Sequence, residues 1–236
     1  ASIANREFNK LIYGNDSPYT QQVEYATIDA ITREDLIEFH KQAFVGNNMM
    51  LGIIGDFDTK EMKKKLKEAF ASLPSGTKTN IIYPEVNYTY PSTFSLIDKS
   101  DVNQSYVLLG HIGGLRDNPD YPALQMMNQV LGGGFAGRLF QKVRTDLGLA
   151  YAVGGGFGSA INYPSTFDLF VMTKSSTTAE AIDAILVEVK RLQDEPVTQK
   201  ELTDARDRFL NSLVFKYDSK NKILNERLIN EYNGLS

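Results

Sequence analysis

The stretch GGGFAGRLFQKVRTDLGLAY, from Gly132 to Tyr151, decides how the chain is to be read. Its first six residues satisfy G-x-G-x-x-G, the letters of a loop that cradles pyrophosphate when a strand leads into it and a helix leads out. Here a helix leads in. Leu124, Met127, Val130 and Leu131 recur at helical spacing behind Asp117-Asn118-Pro119-Asp120, with Pro122 in the first turn. The context therefore argues strongly against a dinucleotide fold. Downstream, Leu139, Phe140 and Val143 predict a short helix that Gly148 ends, and Tyr151 to Ser159 a glycine-rich strand. Thr166 to Thr173 is its hairpin partner. Two earlier strands, 93–99 and Gln104 to Ile112, turn at Ser100-Asp101-Val102-Asn103. Ile182, Ile185, Leu186, Val189 and Leu192 mark a long amphipathic helix that Pro196 breaks, and Thr198 with Glu201 caps the next, running to about Tyr217. Strands followed by helices make the fold class α+β.

Upstream, Phe8, Leu11 and Ile12 form a helix that Gly14 and Pro18 end. Thr32 and Asp35 open another, with Leu36, Phe39, His40 and Phe44 as its buried stripe. Met49 to Gly55 is a continuous apolar run of the kind a covered strand shows. Asp58 and Glu61 then cap a helix whose Met62, Leu66, Ala69, Phe70 and Leu73 face inward while its lysines stay solvated. Residues 74–92 hold Pro74, Gly76, Pro84 and Pro91 among Ser, Thr and Asn, which suits a linker. The expected division is 1–73, a linker at 74–92, and 93–236. Ala1 onward reads as the middle of a helix, and Ile223, Leu224, Leu228 and Ile229 run helically to the end, so both ends of the natural protein are expected to lie beyond this chain.

Composition narrows the chemistry. The 236 residues carry 25 Lys and Arg against 29 Asp and Glu, a net charge of −4, which disfavours a nucleic-acid partner. No apolar run approaches the roughly 18 residues of a spanning helix. Cysteine is absent, removing disulfides, thiolate metal sites and cysteine nucleophiles. The two histidines, His40 and His111, lie far apart and in no H-x-x-E-H pair, so no metal ligands are assigned. Phosphate-loop and nucleophile-elbow motifs are missing. One constellation carries chemistry: Arg144 closes a helix, Gly148 permits a turn and Tyr151 opens a strand, so a guanidinium and a phenol can converge on one point. Both donate hydrogen bonds, as a peptide carbonyl or its oxyanion requires. On spacing alone, a surface arginine beside a packed tyrosine fits better, because spacing cannot prove convergence.

Gly132 to Phe140 followed by Arg144 and Tyr151 resembles the signature of the second domain of the pitrilysin and insulinase zinc metallopeptidases, relatives of mitochondrial processing peptidase. The stretches Asn103 to Gly110, Asp120 to Leu124 with Asn128, and Ile53 to Phe57 are similar to landmarks of that family in the same order. The resemblance implies two related α/β sandwich domains of metallohydrolase type: 1–73 would be the back half of the first, truncated, and 93–236 most of the second, "inactive" one. It implies that zinc, held by an H-x-x-E-H motif this chain lacks, belongs to a missing first half or a partner subunit. Arg144 and Tyr151 would then hold a peptide or unfolded polypeptide substrate and stabilise its oxyanion, with Gly133, Gly134, Phe135 and Arg138 as further substrate-binding residues. The alternatives are a catalytically silent scaffold or the partner subunit of a heterodimeric peptidase. A truncated first domain would expose Phe39, Phe44 and Ile53 and lead to self-association. The compartment, cytoplasmic or periplasmic, stays open.

Overall fold

Strand β1 (Gln104–Ile112) pairs antiparallel with β5 (Thr166–Lys174), in register from Gln104 opposite Lys174 to Ile112 opposite Thr166. On the other side of β5 lies β3 (Ala150–Phe157), also antiparallel, so the sheet order is β1-β5-β3 with β5 central. Two-residue strands β2 (Gly114–Leu115) and β4 (Ser159–Ala160) form a small parallel pair beside it. Alternation along β5 puts Leu169, Val171 and Thr173 on one buried face. Val153 joins them from β3, and Val107 and Leu109 pack against the same cluster from β1.

The computed structural model describes residues 1–235, and they fall into two compact units, 1–21 with 83–212, and 22–82 with 213 onward. The first unit holds the sheet, α1 (Ser2–Tyr13), α5 (Tyr121–Leu131), α6 (Thr178–Asp194) and most of α7 (Gln199–Lys216). Ala181 and Ile185 of α6 close the core with Leu131, Leu139 and Val143. Glu201 begins α7 as expected: its backbone N–H donates to Thr198 Oγ1 (3.2 Å) and its carboxylate accepts from the Thr198 backbone N–H (2.8 Å).

The second unit contains α2 (Tyr25–Asp29), α3 (Arg33–Ala43), α4 (Thr59–Ala69) and α8 (Lys220–Tyr232). Both expected caps form, Thr32 with Asp35 and Asp58 with Glu61. The expected buried stripe of α3 does not: Leu36 is 60% exposed, and Phe39 and Phe44 are exposed as well. The apolar run 49–55 is extended but has no ladder. Its Gly52 lies against α8, where a Cβ would come within 2.8 Å of the Leu224 side chain. The expected strand at 93–99 is likewise unpaired, with Phe94 and Leu96 exposed. A strand is defined by its partner, and neither segment meets a free edge.

The boundary between the units falls inside 74–92, after Ile82. Asn47 Oδ1 accepts from Gly76 N–H (3.0 Å) and Asn48 Oδ1 from Thr79 N–H (2.6 Å), fastening this stretch to 46–48. Beyond it, Tyr83 accepts from Asn162 Nδ2 (3.1 Å) and Pro84 O from the Tyr19 hydroxyl (2.7 Å), which belong to the first unit.

Candidate functional site

Arg144 is carried by a π-helical turn, Phe140–Asp146, rather than by an ordinary α-helix. Its wider ring shows in the Leu147 N–H, which donates to Lys142 O at 3.1 Å, five residues back. Gly148 reverses the chain with φ 65°, a left-handed conformation that suits glycine, and β3 starts two residues later. The turn thus brings Arg144 Cζ 5.9 Å from the centre of the Tyr151 ring and 4.8 Å from that of Phe140. Two rings hold the guanidinium by cation–π attraction. Among the described residues it makes no hydrogen bond or ion pair, so its N–H donors are free for a ligand.

Tyr151 owes its exposure to a bulge. Ala150 lies opposite Thr173 and Ala152 opposite Met172, two steps on β3 against one on β5, so Tyr151 is the extra residue. The parity of the strand breaks there: Ala150 and Val153 are both buried although three apart, while Tyr151 is 70% exposed. Bulges re-aim side chains in this way beside functional sites. The exposed phenol and the ring-held guanidinium stand side by side, two donors suited to a carbonyl oxygen or the negative charge that develops on it.

The glycine loop seats the site on the sheet. At Gly132 a Cβ would fall 1.9 Å from Gly155 O, so α5 can reach β3 this closely only through glycine. Asn128 of α5 clasps the end of β3 from both sides. Its Oδ1 accepts from Phe157 N–H (2.6 Å) and its Nδ2 donates to Phe157 O (2.9 Å). Gly133 is wedged against the Gln129 backbone, whereas Gly134 opens the short 3-10 turn Gly134–Ala136 that lifts Phe135 to 76% exposure. The Phe135 ring meets Phe140 edge-on at 4.9 Å. Phe135, Phe140, Arg144 and Tyr151 therefore form one row of touching side chains.

Arg138, expected among the substrate-binding residues, does not join that row. It is 7% exposed, and its Nε and Nη2 donate to Glu201 at 2.6 and 3.0 Å in a bidentate pair. Arg138 holds the Glu201 carboxyl down at about 2, helped by the Thr198 cap, and Glu201 in turn raises the arginine. The bulge, the π-turn and the Asn128 clasp escaped sequence reading; an Asn inside the apolar stripe of α5 was a visible sign of the clasp alone. Among the described residues no group of three or more His, Asp or Glu could hold a metal ion, so the residues present do not fit a zinc site. No described helix is long and apolar enough to cross a membrane.

A family model described as the peptidase M16 inactive domain matches residues 30–209. The chain is 30% identical over 188 residues to a Rickettsia bellii protein named "uncharacterized zinc protease", covering 79% of this chain and 44% of that protein. It is 29% identical over 210 residues to "non-peptidase homolog YmxG" of Helicobacter pylori, covering 88% and 46%. The crystal structure of a peptidase M16 inactive domain from Pseudomonas fluorescens superimposes with a TM-score of 0.81 at 27% identity, covering 99% of this chain and 56% of that one. The chain spans about half the length of the curated relatives it matches.

Proposed function

Because the chain belongs to the peptidase M16 inactive-domain family, we propose that it is the substrate-holding, non-zinc portion of a zinc metallopeptidase of the pitrilysin and insulinase type. Arg144 and Tyr151 grip the peptide and donate to the oxyanion as it forms. The observation that carries this reading is their side-by-side placement, a guanidinium without an acidic partner among the described residues 5.9 Å from an exposed phenol ring on a bulge. Preorganised donors of this kind act in the transition state more than in the ground state. The water-activating metal belongs to the other half of the parent or to a partner subunit. The exposed apolar residues of 22–82 are the surface on which that half, or a second copy of the chain, completes the unit.

Tyr151→Phe in the zinc-bearing parent is expected to lower kcat about 10²- to 10³-fold with KM little changed. Equal turnover in the two proteins ends the assignment. A second reading, a silent homologue, is favoured by the Helicobacter relative's description as a non-peptidase homolog. It predicts that the parent, supplied with zinc, cleaves no peptide even with Arg144 and Tyr151 intact.

A further inference from the structure

A cavity of about 270 Å³ opens between α6, α7 and the segment around Arg138, apart from the row formed by Phe135, Phe140, Arg144 and Tyr151. Its floor is buried and its rim is exposed: Arg138 and Glu188 are 7% and 4% exposed, while Arg191 and Asp204 at its edge are half-exposed. Three polar atoms of its wall lie out of reach of solvent and make no hydrogen bond among the described residues: Arg138 Nη1, Arg208 Nε and Glu188 Oε2. Arg138 spends only Nε and Nη2 on Glu201, and Arg208 spends Nη2 on Gln129 O (3.0 Å), so each has a donor to spare. Glu188 Oε2 stands 3.6 Å from Arg191 Nη1, an ion-pair distance too long for a hydrogen bond. Unsatisfied buried groups are costly, and three gathered at one cavity point to a ligand that satisfies them together.

The charge pattern selects that ligand. Four basic and four acidic side chains line the cavity, so it carries no net charge to favour a lone phosphate or metal cation. Two donors and a carboxylate oxygen without hydrogen bonds, the last facing Arg191 only at ion-pair distance, ask for an acceptor group and an ammonium on the same small molecule. The volume is below the ≈300–1,000 Å³ of ordinary drug-sized sites, which sets the size at a single residue. We propose that this cavity binds a free α-amino acid, its carboxylate taken by Arg138 Nη1 and Arg208 Nε and its ammonium by Glu188 Oε2. For a chain of a peptidase family, such a ligand is a product of complete peptide breakdown, and the site would register it apart from Arg144 and Tyr151.

Calorimetric titration of this chain with glycine and L-alanine, against acetate, methylammonium and inorganic phosphate, tests the assignment. Saturable binding of the amino acids alone is expected, weakened about tenfold or more by Arg208→Met and by Glu188→Gln. Arg208 is only partly buried, so its variant remains informative should Glu188→Gln fail to fold. No binding at roughly 10 mM amino acid, equal binding of acetate, or unchanged affinity in Arg208→Met overturns it and leaves the cavity to structural water. None of these outcomes touches Arg144 or Tyr151, so the test fails separately from the substrate-holding role.

Discussion

The two compact units are built from similar local signals and end in opposite states. Among the described residues, every buried apolar side chain except Val45 belongs to the unit made of 1–21 and 83–212. The unit made of 22–82 and 213 onward has well-capped helices, yet it exposes Leu36, Phe39, Phe44, Leu51 and Phe70. What separates them is the sheet. In the first, β5 has a neighbour on each side and a face for α6 to cover. In the second, the apolar run 49–55 finds no strand to pair with. Helices form on local hydrogen bonds, but burial needs a surface supplied from elsewhere in the chain.

The largest effect expected from this difference is in the cores. Leu169→Ala, at a fully packed site of β5, should cost about 2–5 kcal/mol, whereas Leu36→Ala on exposed α3 should stay within about 0.5 kcal/mol. Urea denaturation monitored by circular dichroism separates the two. Equal losses would mean that α3 is buried in solution and that the contrast between the units is unreal.

A smaller effect sharpens the contrast from within the first unit. The Arg138–Glu201 pair ties α7 to the glycine loop, with Glu201 lowered from 4.5 to about 2. A lowered carboxylate stabilises fully above its unfolded value and loses that contribution as pH falls through its folded one. Stability should therefore drop between pH 4.5 and about 2 more steeply in the parent chain than in Glu201→Gln. Parallel pH profiles for the two proteins would show that the pair contributes nothing to the folded state.

What could be read from the sequence follows the same division. The caps at Thr32, Asp58 and Thr198 were visible because each is complete within four residues. The β5 strand and the Gly148 turn were visible for the same local reason. The strand expected at 49–55 was not realised because its apolar pattern names no partner. At the site, Arg144 and Tyr151 stood out as residue types, but their meeting depends on a π-turn and a bulge, each a one-residue departure from regular spacing. Arg138 was expected at the site through the resemblance alone, and no local pattern shows that its guanidinium turns inward to Glu201, 63 residues away.

The smallest expected effect tests whether the second unit is held by local terms alone. Thr32 accepts from Asp35 N–H at 3.2 Å, and Asp35 Oδ2 accepts from Thr32 N–H at 2.8 Å. Thr32→Ala removes this box at a cost of about 1 kcal/mol to α3. With so little buried in that unit, the loss should fray α3 without shifting the midpoint at which the β1-β5-β3 sheet melts. Amide exchange is the measurement: faster exchange over 33–43 and unchanged protection over 166–174 is expected. Loss of protection in both would instead mean that α3 and the sheet unfold as one cooperative body, and that the exposed helices draw stability from the core they do not enter.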